Sequence, residues 1–501
     1  MKNSIWDGNG LVKIISRFTY LILPKLDDIL FTALFVAVIG LGPRLLNQDG
    51  DLGRHLTIGE YILDRGIIPT RDLFSYTLAG AALTPHEWLS QVIFAGANRL
   101  GGLDGVVIFS ALLIAITFTL VYRQCYQRSK IALVSLAWAI VGAAAASLHW
   151  IARPHLFTLL MTLLWIGELE RIRLGEHLRW WVMPILMLLW ANLHGGFLVG
   201  FVILGIYLIS FQFSATSKMF TLGVISAMAT LINPVGWRLW ETSVGFLRNR
   251  YLVGHTAEYL PLDFHQASAW PFLMMIALSI LFLGLSRDRK VFTHILLLAA
   301  WIVGGLYSAR NVPLYAVIST PILAEVSAGL IRRLPSLKVI VQLDERLVEV
   351  DRRLLGHAWP ALAVLAVALT LASGIRLDFS RQGNHFSPQV FPVNAVDWME
   401  AHPIPGAGFN YFPWGGYLLY RIWPEQRVFI DGQTDFYGEQ LTRQYEKAIS
   451  LLPGWREVLQ GNHVRWVLMP PESELARALQ TEPGWITLYR DDTAMVFKNE
   501  P

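Results

Sequence analysis

Two carboxylates and a histidine stand close together in the stretch NQDGDLGRHLTIGEY, residues 47–61, which follows the first long apolar run of the chain. Asp51 and His55 are four residues apart, so on a helix that begins near Leu52 their side chains share a face. A carboxylate beside an imidazole can act as a general base, and paired acids can bind a divalent cation. The simpler alternative is that Asp49-Gly50-Asp51 forms a turn and the N-cap of that helix. The sequence leaves both interpretations open.

The helix itself has a recognisable pattern. Leucine and glycine recur at helical spacing on one face, which predicts a helix that lies on the outer membrane surface: Leu52, Leu56, Gly59 and Leu63. Asp49, Asp51 and His55 are the candidate catalytic residues. Asp49 and Asp51 are also the candidate ligands of a divalent metal ion such as Mg²⁺ or Mn²⁺.

The elements that must position these residues are membrane-spanning helices. The chain has 501 residues, of which 54% are hydrophobic and only 16% are charged. Several apolar runs reach about 18 residues or more, the length that crosses a bilayer. The sequence therefore predicts a polytopic α-helical membrane protein with about 11 transmembrane helices within residues 1–377: 28–46, 103–122, 130–148, 154–168, 180–194, 195–213, 218–234, 270–286, 291–307, 312–331 and 358–377.

The positively charged residues set the orientation of these spans. If the spans alternate, the basic clusters fall on one side, which the positive-inside rule makes cytoplasmic: Lys2, Lys13, Lys25, Arg123, Arg128, Lys130, Arg171, Arg173, Arg179, Arg287, Arg289, Lys290, Arg332, Arg333, Lys338, Arg352 and Arg353. The N-terminus is then cytoplasmic. A large first outer loop at about 47–102 and everything after about residue 378 are extracytoplasmic.

Three classes of feature are excluded or unsupported. The apolar segment 11–23 is interrupted by Lys13 and Arg17 and has no small-residue cleavage site, so we expect no cleavable signal peptide. The single cysteine, Cys125, excludes an internal disulfide framework and a CxxC site. A net charge of only +4, carried mostly by short loops, argues for membrane topology and against nucleic-acid binding.

Polar groups converge on the predicted outer face. Ionisable residues at membrane depth are costly and usually face a cavity or a partner, so each is a functional candidate. The candidates for substrate binding in the membrane domain are His86, Glu87, Arg153, His155, Asn192, His194, Arg310 and Asn311. Some of them also have a structural alternative, such as a capped span end for Arg153 or a tight turn for His194 before its two glycines.

The last part of the chain, residues 378–501, is predicted to be a soluble α/β domain. The segments RVFIDGQTDFYG and HVRWVLMP are typical of strands bounded by turns, and helices are expected near 393–402, 436–452 and 473–481. Asp431 and Asp435 either form a turn or, if the domain folds back onto the outer face, line an acceptor groove shared with the first loop. Trp414 either binds substrate or packs the domain core.

A lipid phosphate substrate would need these groups together. Its head group lies at the outer surface and its tail enters from the bilayer, and arginines bind phosphate through bidentate, charge-assisted hydrogen bonds. A carboxylate in the same cavity can deprotonate an acceptor that attacks the anomeric carbon of a sugar while the phosphate leaves. No nucleotide-binding glycine-rich loop is present in the sequence. The pattern thus favours glycosyl transfer.

The ordered motifs resemble those of the GT-C superfamily of polyprenyl-phosphate-sugar glycosyltransferases, which includes protein mannosyltransferases, aminoarabinose transferases and oligosaccharyltransferases. The chain is most similar to a bacterial group of GT-C-like membrane proteins. The resemblance rests on DGDLGRHLTIGEYIL, HEWLS, RPHLFT, NLHGGF, INPVGW, ARNVPL and FPWGGYLLYRIWPEQRVFIDGQTDFYG, and it covers most of the chain.

The resemblance implies a role for particular residues. Asp49 or Asp51 would supply the catalytic carboxylate, Arg153 and Arg310 would bind phosphate, and PWGGYL around Trp414 would help to bind an acceptor. The expected partners are a polyprenyl-phosphate sugar donor, a lipid, glycan or protein acceptor, and membrane lipids. The expected location is the inner membrane of a bacterium.

Two positions depart from the family pattern. Leu52-Gly53-Arg54 replaces the usual aromatic residues before the histidine, and Gln433 stands where an arginine is expected between Asp431 and Asp435. These changes keep open a catalytically inactive scaffold that binds a glycolipid. A lipid or sugar transporter is the second alternative, although transporters usually place ionisable residues near the midplane and contain inverted repeats.

Overall fold

The computed structural model describes residues 23–210, 213–285, 292–354 and 358–500, and most of this chain is helical. The helices of the first part, numbered α1 to α16 in chain order, are Leu26–Gly40, Gly42–Asn47, Leu52–Arg65, Trp88–Ser129, Ala132–Ala146, His155–Arg173, Val182–Leu193, Leu198–Ser210, Phe213–Ala229, Arg238–Arg248, Arg250–His255, Trp270–Leu285, Phe292–Tyr307, Val312–Arg333, Lys338–Arg353 and Trp359–Ala372. Lys2, Lys13, Arg287, Arg289, Lys290 and most of segment 11–23 lie outside the described residues.

Long apolar helices make this a membrane protein. Within the described residues, four helical segments are long and apolar enough to cross a bilayer: Trp88–Ser129, Ala132–His149, Ala267–Leu285 and Ala309–Arg333. Shorter apolar helices occur at Val182–Leu193, Gly195–Ser210, Ser217–Ala229, Phe292–Tyr307 and Trp359–Ala372. The number of about 11 spans, the orientation and the domain boundary near residue 378 stay predictions.

Two predicted boundaries differ from the structure. The expected span 103–122 is the second half of α4, which begins at Trp88 and bends where Gly101 and Gly102 leave helical geometry, Gly102 with a φ of 59°. Glycine adopts this left-handed conformation without steric cost, so α4 can continue past the bend. The expected span 28–46 is divided into α1 and α2 by a break at Leu41.

The helix after the two aspartates, α3, forms where the periodicity predicts it, but its environment differs. Leu52 and Leu56 are buried, as expected of the stripe, yet Arg54 and His55 on the other side are buried too. Helix α3 packs against α4 and against the C-terminal part of the chain. The C-terminal domain thus covers the face that was expected to contact water, whereas Leu63 of the predicted stripe is exposed. The position of α3 at the membrane surface stays a prediction.

The C-terminal part combines five helices with one small sheet. The helices, α17 to α21, are Val393–Ala401, Gly415–Ile422, Thr434–Ile449, Trp455–Gly461 and Glu474–Leu479, and the strands, β1 to β4, are Ala407–Asn410, Val464–Met469, Trp485–Arg490 and Met495–Asn499. The sheet order is β1-β2-β4-β3, with β1 parallel to β2 and the other pairs antiparallel. The expected strand in HVRWVLMP and the three expected helices are present.

The prediction of a strand in RVFIDGQTDFYG is wrong. Val428 makes only an isolated bridge to Ser75 of the outer loop, and α19 begins at Thr434. The alternating apolar residues Val428 and Ile430 are buried, as in a strand, but the backbone bonds of this segment go to the loop instead of the sheet. The segment is thus a connection between the two parts of the chain.

Glycines allow these two parts to approach closely. A Cβ atom on Gly53 would lie 2.3 Å from the backbone oxygen of Gly416, and one on Gly416 would lie 2.2 Å from that of Gly50. A Cβ on Gly432 would lie 1.6 Å from Oδ1 of Asp51. One hydrophobic core continues from the membrane helices through Trp414, Tyr417 and Leu418 into the C-terminal domain, so the two parts pack as one body around the aspartates.

Candidate active site

The predicted polar residues meet at one end of the helical bundle. Helices α4, α6 and α14 begin at this end and α7 finishes there, so the turns that precede or follow them share one location. The first outer loop and the C-terminal domain close over the same place. We call this group of side chains the polar cluster: Asp49, Asp51, Arg54, His55, His86, Glu87, Arg153, His194, Glu258, Arg310, Asp431, Gln433 and Asp435.

Arg153 is surrounded by three carboxylates. Its Nε lies 2.9 Å from Oδ2 of Asp49 and its Nη2 lies 2.6 Å from Oδ2 of Asp51. Its Nη1 donates to Oε1 of Glu258. Asp51 stands at the N-cap position of α3 but makes no capping hydrogen bond with its side chain. The interpretation of the DGD motif as a simple helix cap is therefore wrong, because the carboxylate that would cap the helix binds Arg153 instead.

Arg54 joins the first outer loop to the C-terminal domain. Its guanidinium lies 3.9 Å from Asp51, 3.8 Å from Glu87 and 3.7 Å from Asp431, and its Nη1 donates to Oε1 of Gln433 at 3.2 Å. Only 4% of its side chain is exposed. The two positions that depart from the family pattern, 54 and 433, thus contact each other. Position 433 carries no arginine, but the guanidinium of Arg54 reaches Asp431 of the C-terminal domain instead.

Glu87 is the common neighbour of three histidines. Its carboxylate lies 3.8 Å from Nδ1 of His55, 3.8 Å from Nε2 of His86 and 3.6 Å from Nε2 of His194. His55 was expected to pair with Asp51 on one helix face. The structure turns the two side chains to different partners, so the carboxylate beside this imidazole is Glu87.

Arg310 is the most exposed of the three guanidinium groups, with 30% of its side chain accessible. It lies 3.3 Å from Glu258, 3.0 Å from Nε2 of His194 and 3.1 Å from the hydroxyl of Tyr259. Glu258 and Tyr259 were not among the predicted residues. Their only signal in the sequence is an ionisable residue in the segment between the predicted spans 218–234 and 270–286.

Burial and neighbouring charges shift several pKa values. Burial, together with the charges of Asp51 and Glu258, raises the pKa of Asp49 to about 7 even though Arg153 opposes the shift. Burial likewise raises the pKa of Asp431 to about 6 against the charge of Arg54. Burial lowers the pKa of His55 well below its ordinary value, and Arg54 lowers it further, so this imidazole is neutral at neutral pH.

Four predicted residues have structural contacts outside the polar cluster. Asn192 accepts from the indole of Trp88, and His155 bonds the backbone oxygen of His149. Asn311 donates to the backbone oxygen of Gly304. Trp414 is buried and donates to the backbone oxygen of Val390. These side chains hold the elements that carry the cluster, whereas Asp431 and Asp435 do lie in it, since Asp435 is 3.5 Å from His86.

A small cavity of about 10 Å³, roughly room for one water molecule, opens beside the cluster. Its lining combines polar and apolar side chains of the first outer loop with one residue of the C-terminal domain: Arg54, Ile58, Pro69, Leu83, Thr84, Pro85, His86, Glu87, Gln91 and Gln433. Near it, Oε1 of Gln91 and Nε2 of His55 are buried without a hydrogen-bond partner. Buried polar atoms are normally satisfied, so these two groups are suited to a bound hydroxyl or water.

Comparison with known proteins identifies the fold. No protein-family model and no curated protein sequence matches the chain. The oligosaccharyltransferase of Archaeoglobus fulgidus in the apo form has a similar structure, with a TM-score of 0.58 and 13% identity over 89% of this chain and 69% of the archaeal chain. The same archaeal protein, AglB, in complex with an inhibitory peptide and a dolichol-phosphate gives a TM-score of 0.59 and 12% identity, covering 97% and 74%. The chain therefore has a GT-C-like fold, as the motifs predict.

The archaeal protein has also been solved with Zn and sulfate, in a structure with a TM-score of 0.50 and 13% identity that covers 95% of this chain and 73% of that one. We therefore tested whether the present residues fit a metal ion. Within the described parts of the chain, no group of three or more His, Cys, Asp or Glu side chains is arranged to hold one. Asp49 and Asp51, the predicted ligands, both contact Arg153, so the donor set does not fit a metal ion while this guanidinium is in place.

Proposed function

We propose that the protein is a glycosyltransferase that moves a sugar from a polyprenyl-phosphate-linked donor to an acceptor at the outer face of the membrane. The proposal includes an extracytoplasmic C-terminal domain, residues 378–501, that packs over a membrane domain, residues 1–377. The GT-C-like fold supports the class of reaction. The chemistry must be argued from the polar cluster itself, because a fold does not determine function.

The observation that carries the proposal is the position of Asp49. Of the two aspartates in the DGD motif it is the more accessible, with 21% of its side chain exposed against 8% for Asp51. A pKa of about 7 makes it a base that is half ionised at neutral pH, where proton transfer is most efficient. Asp51 is held by Arg153 and covered by Gly432. We infer that Asp49 is the base and Asp51 positions it through Arg153.

The remaining residues have complementary tasks. Arg310, the most exposed arginine, binds the donor phosphate and stabilises the negative charge that develops as it leaves. Asp49 takes the proton of the acceptor O–H or N–H while the acceptor atom forms a bond to the anomeric carbon. The bond between that carbon and the phosphate oxygen breaks, and its electron pair leaves with polyprenyl phosphate. One displacement inverts the anomeric configuration.

The acceptor is proposed to enter the cavity between the first outer loop and Gln433. Amide groups of Gln91 and Gln433, the imidazole of His86 and the carboxylate of Glu87 offer both donors and acceptors there, which is suited to a hydroxyl-bearing group. Asp435 supports this wall because it lies beside His86. The cavity has room for about one water molecule, so substrate entry would require the C-terminal domain to move.

The proposal is tested by donor turnover. Purified protein in liposomes is supplied with radiolabelled polyprenyl-phosphate glucose or mannose and a bacterial lipid and glycan extract, and labelled product is separated from donor. Asp49→Asn should lower kcat by about 10²- to 10⁴-fold, the usual contribution of a general base. Arg310→Ala should mainly raise KM. Arg99→Ala, which changes an exposed arginine bonded to Glu60, is the matched control.

An inactive scaffold remains a second candidate, because one observation favours it. Each arginine of the cluster already contacts at least one carboxylate, so every guanidinium has a counter-ion without any ligand. A scaffold would bind a polyprenyl-phosphate sugar without consuming it. Binding of labelled donor that Arg310→Ala weakens, together with an absence of product in every extract, would replace the transferase by this function.

A further inference from the structure

The guanidinium of Arg153 lies at the centre of a group of three carboxylates. Three carboxylates from two distant loops point at one cation: Asp49 and Asp51 from the first outer loop, and Glu258 from the loop before α12. Each of the three guanidinium nitrogens contacts a different carboxylate. Carboxylate oxygens are the ligands that proteins prefer for hard divalent cations, although here each oxygen meets a different nitrogen and the three carboxylates are not arranged to hold a metal ion.

The three carboxylates depend on the positive charge of Arg153. Three carboxylates that are partly removed from water repel one another and need a positive charge among them. Arg153 supplies it from the turn that precedes α6, and its side chain is only 18% exposed. Arg153 donates hydrogen bonds to Asp51, at 2.6 Å, and to Glu258, and it forms an ion pair with Asp49 at 2.9 Å, so the guanidinium and a metal ion would compete for the same oxygens.

We propose that Arg153 is the built-in cation of this site, that it stands in the place of a divalent metal ion, and that the wild-type site takes no such ion. Removal of the guanidinium then leaves three carboxylates without their cation, free to rearrange around a divalent ion. Arg153 is thereby a positioning residue, which fixes Asp49 and Asp51, and donor phosphate is left to Arg310. The catalytic consequence, turnover that is insensitive to chelators, rests on the proposed glycosyltransferase function; the binding consequence does not.

The test is Mn²⁺ binding to the purified full-length protein, followed by electron paramagnetic resonance. Wild type should bind no Mn²⁺ at micromolar concentrations. Arg153→Ala should gain one site, with a Kd at least tenfold below that of any residual Mn²⁺ binding by wild type. The double variant Arg153→Ala/Asp51→Asn should lose that gain. Arg310→Ala is the matched control, since it also removes a guanidinium from Glu258 but leaves Arg153 in place.

Two results would overturn the proposal. The first is stoichiometric Mn²⁺ binding by wild type that Asp51→Asn abolishes, a measurement that does not need Arg153→Ala to fold. The second is a folded Arg153→Ala protein that gains no site. Chelator-insensitive donor turnover would add support, and a lack of turnover in all conditions would count against the proposed function while the Mn²⁺ result still decides the role of Arg153.

Discussion

Gly416 offers a direct test of how the C-terminal domain is held on the first outer loop. A Cβ atom at this position would lie 2.2 Å from the backbone oxygen of Gly50, where 3.4 Å is an ordinary contact, so in Gly416→Ala the two backbones must separate by about 1 Å. Overpacking of this kind costs about 1–3 kcal/mol. Since about 1.4 kcal/mol is a factor of ten, the population in which the domain is detached should rise roughly 5- to 150-fold.

Hydrogen exchange of the backbone amides of α18, read by mass spectrometry, measures this population. Amides that exchange through local opening report its equilibrium constant, so their exchange rates in Gly416→Ala should rise by the same factor. Gly96→Ala is the matched control: Gly96 is also helical, but a Cβ there meets nothing within 4 Å. Exchange in Gly416→Ala that equals exchange in wild type and in the control would refute the close approach of the two parts.

Three further predictions concern charge. First, donor turnover should rise with pH through about 7, because Asp49 must be ionised to act as a base, and Asp49→Asn should abolish this limb of the pH profile. Second, the pKa of Asp431 is about 6 in the folded protein and 3.8 as its ordinary value, so the folded state holds the proton more tightly and thermal stability should fall as pH rises between these values. Asp431→Asn should flatten the melting-temperature profile in that window, and an unchanged slope would contradict the argument. Third, Arg54→Gln should destabilise the protein by about 3–5 kcal/mol, since it leaves buried carboxylates without their cation. The double variant Arg54→Gln/Gln433→Arg should recover at least half of the accompanying loss in melting temperature. No recovery would mean that the two side chains are not interchangeable.

Much of the architecture follows from local patterns that the sequence displays. Long apolar runs mark the helices of the membrane domain, and the stripe through Leu52 and Leu56 marks α3. The alternation of spans also predicts that residues as distant as Glu87, Arg153 and His194 lie at one end of the bundle, and the structure brings them together. Topology alone is enough for this inference, because the ends of neighbouring helices meet at the same face.

The orientation of individual side chains could not be predicted in the same way. The carboxylate of Asp51 has two local options, a helix cap or an ion pair, and the choice depends on Arg153 and Gly432, which are remote in sequence. Glu258 belongs to a loop without periodicity, so no pattern placed it beside Arg153. The segment around Val428 alternates as a strand does, but its partner is Ser75 of the outer loop, a contact that only the packed C-terminal domain creates.

The C-terminal domain completes the polar cluster, and this has a consequence for any reaction that occurs there. Asp431 and Gln433 provide two of the contacts to Arg54, and Gly432 leaves just enough room for Asp51. When the domain is seated, these charges are removed from water, which strengthens their interactions and raises the pKa of Asp49 and Asp431. When it moves away, water enters and the pKa values of both acids return towards their ordinary values. A substrate that can enter only while the domain is lifted therefore meets an ionised Asp49, and the base acquires its shifted pKa only after closure. Entry of substrate and preparation of the base would then be successive steps of one motion. The contact between Gly416 and Gly50, which lies next to Asp49 in the chain, should therefore influence turnover as strongly as it influences stability.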